Sequence, residues 1–173
     1  FVFMNPTGRN ITANKSWQGI KSPWIGTKNV WTLFHELGIL NDELYIDIRN
    51  KKGSDWTEKF AEEVYLSIAK NKVYITNLAK CTQPDARTLK DKVFKEYLDL
   101  FYEEINIVKP KKIILFGNQV SSIVLNEKIS VSTVRKKEFN YKGFKFYSVY
   151  YPVGNGFFNI DKAIEDIKYI MSV

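Results

Sequence analysis

The chain has 173 residues, of which 45% are hydrophobic and 15% aromatic, with 26 Lys and Arg against 19 Asp and Glu, a net charge of +7 and a single cysteine. That length suits one domain with a sizeable core and is too short for two, while the composition excludes a disordered tail. The lone Cys81 excludes an internal disulfide and cannot by itself ligate zinc or an iron–sulfur cluster, so no cofactor and no metal are expected.

No apolar run reaches the ~18 residues of a membrane helix, and nothing reads as a signal peptide. A cytoplasmic protein with no membrane partner is therefore expected. The basic balance suits a polyanion, because neutralised phosphates release counterions; solubility explains it equally well.

Phe1-Val2-Phe3-Met4 reads as a buried strand already in progress, so a preceding segment is expected; Asn5-Pro6 ends the strand. Residues 5–28 form a long Gly-, Pro- and Asn-rich loop, a length usually tied to function. Val30, Trp31, Phe34 and Leu37 recur at helical spacing over Asn29–Leu37, with Gly38 as the stop. Trp56 to Lys70 reads as a second helix. Val73 to Asn77 is β-branched and aromatic, a second buried strand.

Lys90 to Val108 reads as one long amphipathic helix, stopped by Pro110. Lys112 to Gly117 is the clearest strand and turns into a helix over Asn118–Leu125. The alternation around Tyr141-Lys142-Gly143 predicts a hairpin whose second strand ends at Tyr151-Pro152. Ile160 to Ile170 is an amphipathic helix with Asn159 or Asp161 as its cap. Helices alternating with short buried strands predict an α/β fold: a three-layer α/β/α sandwich with a short, mostly parallel central sheet of about four strands. In such sheets the site lies at the carboxyl ends of the strands, which puts Asn5-Pro6, Asn77, Gly117 and Tyr151-Pro152 on one rim.

Those rim segments carry a resemblance. Phe3-Met4-Asn5-Pro6 resembles the first motif of the uracil-DNA glycosylase superfamily, G-[IM]-N-P-G in its mismatch-specific and single-strand-selective branches. Here Phe3 replaces the usual Gly, and Thr7-Gly8 follows. Pro23-Trp24-Ile25-Gly26 resembles the P-F-x-G segment, and Asn29 to Gly38 the N-x-[FL]-W-x-x-L…G helix. Val73 to Cys81 is similar to I-T-N-x-x-K-C, with Arg87 near a downstream N-R. Ile113 to Gly117 matches the next strand. Tyr151-Pro152-Val153-Gly154-Asn155-Gly156 stands where H-P-S or N-P-S-G is usual. Cys81 matches one ligand of the iron–sulfur branch; the other three are absent.

The resemblance implies a monomeric DNA-repair glycosylase that flips a uracil or related deaminated base into a pocket. Trp24 would stack on the base. Asn77, with one acceptor and two donors, would read the O4 and N3–H edge. Asn5 would position the water that attacks C1′, and Pro6 and Thr7 would contact the base. Tyr151, in place of His or Asn, or else Asn155, would donate to the leaving base O2. Gly8, Arg9, Lys80, Arg87, Gly154 and Gly156 would meet the DNA backbone. Val153 and Phe157 are the candidates for an apolar wedge.

Bland alternatives stand beside these roles: an Asn-Pro turn for Asn5, a strand-end cap for Asn77 and solvated surface for the cations. His35 reads as a structural helix residue, Glu62-Glu63 and Glu103-Glu104 as solvated helix faces. Arg135-Lys136-Lys137 reads as a DNA contact or as a charged strand edge. Tyr151 also leaves open a non-catalytic base binder, and a glycosidase acting on a nucleoside or an RNA-linked base.

Overall fold

The computed structural model describes residues 1–85 and 89–173. Five strands, β1 (Val2–Phe3), β2 (Thr76–Asn77), β3 (Ile113–Phe116), β4 (Glu138–Tyr141) and β5 (Phe144–Val149), form one sheet in the order β2-β1-β3-β5-β4. Neighbours are parallel except β4, which runs antiparallel to β5. The hairpin thus adds an antiparallel edge, giving five strands where about four were expected.

Side-chain alternation divides the core into two layers. Ile114 and Phe116 of β3, with Tyr147 and Val149 of β5, face α1 (Asn29–Glu36), α2 (Asp42–Asn50), α3 (Glu58–Lys70) and α8 (Ile160–Ser172). Ile113, Leu115 and Phe146 face the other way, onto α4 (Asp91–Lys95), α5 (Leu98–Val108) and α6 (Asn118–Leu125). A short α7 (Val131–Val134) leads into β4. The result is the α/β/α sandwich read from the sequence.

Three elements differ from that reading. Helix α2 is additional: Asn41 caps it, accepting from Leu44 N at 2.9 Å, and only Leu44 and Ile48 are buried, too few to stand out among its charges. The helix expected over Lys90–Val108 is broken, because Tyr97 leaves the helical ladder at φ −99° and ψ 0°. Phe94, Phe101 and Ile105 share one core across the break, so the apolar spacing runs straight through it. β2 pairs only at Thr76 and Asn77, with Ile75 buried beside it.

From β1 the chain crosses to β2 on one side and later to β3 on the other. Strand order reverses at β1, and a crevice opens there, outside the carboxyl ends of the strands.

Candidate functional site

The crevice is a cleft of about 630 Å³ lined from five chain segments. Met4, Asn5, Pro6 and Thr7 follow β1, Asn77 ends β2, and Tyr151, Val153, Gly154, Asn155 and Gly156 follow β5. Trp24 comes from the long loop, and Lys28 and Asn29 from the start of α1. Arg9 is exposed at this cleft, Lys28 is half-buried, and among the described residues no Asp or Glu lines it.

Backbone pairing clamps the first loop. Gln83 N donates to Pro6 O at 3.0 Å and Gly8 N to Gln83 O at 2.8 Å, with Thr7 bridged to Gln83. Asn5 Nδ2 donates to Pro6 O at 3.1 Å, which uses one of its two N–H donors and fixes which end of the amide carries the acceptor Oδ1. An acceptor is the polarity needed to orient a water for attack.

Trp24 sits at φ +70°, a left-handed conformation that is an outlier for a bulky side chain. The loop holds it there: Thr27 Oγ1 donates to Trp24 O at 2.6 Å, and the Tyr65 hydroxyl donates to Pro23 O. The half-buried indole meets Phe3 edge-on, with its N–H unpartnered among the described residues.

Asn77 is 5% exposed, and its Oδ1 is buried with no hydrogen-bond partner among the described residues. A buried amide oxygen left unpaired costs roughly 1–3 kcal/mol, so its place on a cleft is informative. Tyr151 is half-buried, and desolvation pushes its phenol up to about 12, keeping it a neutral donor at physiological pH. Gly156 has to be glycine: a Cβ there would lie 2.2 Å from the Tyr151 carbonyl oxygen. Gly154, at φ +57°, faces open space, and Asn155 is exposed.

The cleft thus gathers Asn5, Pro6, Thr7, Arg9, Trp24, Asn77, Tyr151, Gly154, Asn155 and Gly156. Gly8 is exposed beside it, and Lys80 lines a second cavity, of about 520 Å³, that shares Asn77 with the cleft. Arg87 lies outside the described residues. Val153 is only 4% exposed, which removes it as a wedge, whereas Phe158 is 81% exposed and Phe157 40%.

Sequence reasoning missed Asn10 and Glu104. Asn10 is 6% exposed; its Nδ2 donates to Ser22 O at 3.0 Å and its Oδ1 accepts from Thr12 N, tying the first loop to the Trp24 loop. Only its amide chemistry could have signalled this. Glu104, expected on a solvated helix face, is instead bonded to Lys80, Tyr74 and Thr76. His35 lies away from the cleft, stacked on Tyr45 and 2.9 Å from Asp42.

A family model described as the uracil DNA glycosylase superfamily matches residues 5–157. The chain belongs to that superfamily. The match begins at Asn5 and extends past Gly156, so it spans both rim loops that build the cleft. Membership supports a glycosylase-like role in DNA repair, since members of the uracil DNA glycosylase superfamily act on DNA. Among the described residues no group of at least 3 His, Cys, Asp or Glu could hold a metal ion, and no helix is long and apolar enough to cross a membrane.

Proposed function

We propose that this chain is a monofunctional DNA glycosylase that hydrolyses the N-glycosidic bond of uracil or a related deaminated base. The observation that carries the reading is the Asn77 carboxamide, buried at the cleft with its oxygen unpaired among the described residues. A flipped pyrimidine presenting a donor and an acceptor on one edge would satisfy it. Trp24 supplies the stacking face, and its backbone strain is a cost of the kind retained at functional sites.

In the reaction, the bond from C1′ to the base nitrogen breaks and its electron pair passes into the base. Tyr151, as a neutral phenol, donates to the base oxygen on which that charge gathers. A water held by Asn5 Oδ1 forms the new bond to C1′ and releases its proton to solvent. An amide orients water without taking the proton, so a modest rate is expected. Arg9, Gly154 and Gly156 line the cleft and would meet the DNA backbone, and Phe157 and Phe158 are the exposed aromatics that follow Gly156 in the chain.

Tyr151 also supports a second reading, a base binder that does not cleave. Labelled oligonucleotides carrying uracil, hypoxanthine, xanthine or mismatched thymine, treated with the protein and then alkali, decide between the two. Strand cleavage at one of these bases, lost in Asn5→Ala, is the expected result. Preferential binding of one of them with no cleavage at high protein concentration establishes the second reading.

A further inference from the structure

Lys80 follows the base-reading strand end by three residues and has the sequence of a surface cation. Its ammonium is nevertheless fully used. Nζ donates to Thr76 Oγ1 at 2.6 Å, to the Asn77 main-chain carbonyl at 2.8 Å and to Glu104 Oε2 at 2.7 Å. A lysine has three N–H donors, and all three are committed.

Glu104 is held just as tightly. Its other oxygen accepts from the Tyr74 hydroxyl at 2.6 Å and from Thr76 Oγ1 at 2.8 Å. Burial alone would push this carboxyl up, but the hydrogen bonds from Lys80, Tyr74 and Thr76 hold it below the usual carboxylate range. The side chains are 31% and 17% exposed, and both line the second cavity rather than the base cleft.

We infer that Lys80 is a positioning residue: locked by Glu104 of α5, it fixes the main chain of Asn77 so that the carboxamide on the other side meets the base. The inference rests on the base-reading role of Asn77 given above. No N–H of Lys80 is left for a DNA phosphate, and pulling the ammonium towards one would break an ion pair and release the strand end. Among the described residues no hydrogen bond holds the Asn77 side-chain oxygen, so the fixed main chain is what defines its direction.

The test is a double-mutant cycle read by binding, so that it does not depend on turnover. The probes are two oligonucleotide duplexes, identical except that one carries 2′-fluoro-2′-deoxyuridine, whose fluorine blocks hydrolysis, and the other an ordinary pair. The expected result is that Lys80→Met lowers the preference for the uracil duplex about tenfold. It leaves affinity for the ordinary duplex, and the slope of its log affinity against log salt, unchanged. Glu104→Gln, the near-isosteric variant, shifts the preference the same way, and Lys80→Met adds nothing in an Asn77→Ala background.

A salt slope reduced by about 0.9, with affinity lost equally for both duplexes, marks a phosphate contact and overturns the inference. So does a fall in thermal stability with the preference intact in both Lys80→Met and Glu104→Gln. If Asn77→Ala keeps the wild-type preference, the base-reading assignment itself fails and the role of Lys80 with it. If Asn77→Ala loses the preference and Lys80→Met does not, only the inference about Lys80 fails.

Discussion

The indole of Trp24 stands edge-on to the ring of Phe3, with centroids 4.9 Å apart and planes at 71°. Phe3 in turn stacks on Phe116 at 4.4 Å and is wholly buried. The residue that replaces the usual glycine of the first motif is therefore not in the cleft. It fills the core beneath Trp24 and props it.

Two substitutions separate prop from platform. Phe3→Ala removes a fully buried ring and is expected to cost about 3–5 kcal/mol in urea unfolding, with weakened base binding as a consequence. Trp24→Ala, at a half-buried site, is expected to lower affinity for a 2′-fluoro-uracil oligonucleotide about 10- to 100-fold, the scale of ~1–3 kcal/mol for one stacked base. Its stability cost is expected to be smaller than that of Phe3→Ala. Equal affinity of Trp24→Ala and wild type would remove the stacking role.

Tyr151→Phe deletes only the hydroxyl and keeps the ring that meets Phe3 edge-on at 6.3 Å. If the phenol steadies the leaving base, single-turnover excision falls roughly 100-fold with substrate affinity unchanged, the usual scale for one lost oxyanion donor. Burial raises this phenol to about 12 in the folded protein, against an ordinary ~10 in the unfolded chain. The stability this contributes is complete below pH ~10 and is lost as pH climbs through the folded value of about 12. Excision should accordingly show no alkaline limb from Tyr151 up to pH ~10, and the Phe variant should lose less stability above it.

The two glycines of the second-motif loop should respond differently. In Gly156→Ala the new methyl would sit 2.2 Å from the Tyr151 carbonyl oxygen, a main-chain atom that cannot swing aside. The loop must move and carry Tyr151 with it, so activity is expected to fall at least tenfold. Gly154→Ala adds a methyl in open space at φ +57°, which costs ~1 kcal/mol of backbone strain and no collision. Circular dichroism melts together with excision rates measure both, and equal effects of the two substitutions would count against the close approach.

Arg135 belongs to the fold. Its Nε donates to both carboxylate oxygens of Asp166 at 3.0 Å, and Asp166 is 0% exposed on α8. Nη2 reaches Glu165 at 2.9 Å, and Lys136 bonds the same Glu165. Arg135→Ala strands a buried carboxylate and is expected to cost about 3 kcal/mol, with the salt slope of DNA binding unchanged. The Arg135→Ala/Asp166→Ala pair should cost less than the two changes added together. A reduced slope would return Arg135 to the DNA-binding face.

What could be read from the sequence followed from chain order. Asn5, Asn77 and Tyr151 each come directly after an apolar run, and parallel strands bring such residues to one rim whatever joins them. The same local logic placed Gly117 and the α6 helix. Lys80 and Glu104 were opaque because their contact spans 24 residues and needs α5 to fold back over the edge strand. Helix α2 was opaque because its stripe is too thin to give a period. Gly156 could be read as flexible but not as obligatory, since the Tyr151 carbonyl that demands it is positioned only when the loop closes.

Phe158 stands in the short 3-10 helix that begins with Gly154, Asn155 and Gly156 of the cleft. It is 81% exposed in the same 3-10 helix as Gly156, whereas Val153 is packed into the core. Single exposed aromatics are common, so its place two residues after Gly156 of the cleft, not its exposure, gives it meaning. A side chain there can enter the stack as a base leaves it, and unstacking costs a few kcal/mol in a duplex and less in a single strand. Phe158→Ala is therefore expected to slow excision from duplex DNA about tenfold and to leave single-stranded substrate nearly unaffected. Folding stability should stay within ~0.5 kcal/mol, as for other surface changes. An equal loss on both substrates would assign Phe158 to general DNA contact and leave the duplex to be opened by another residue.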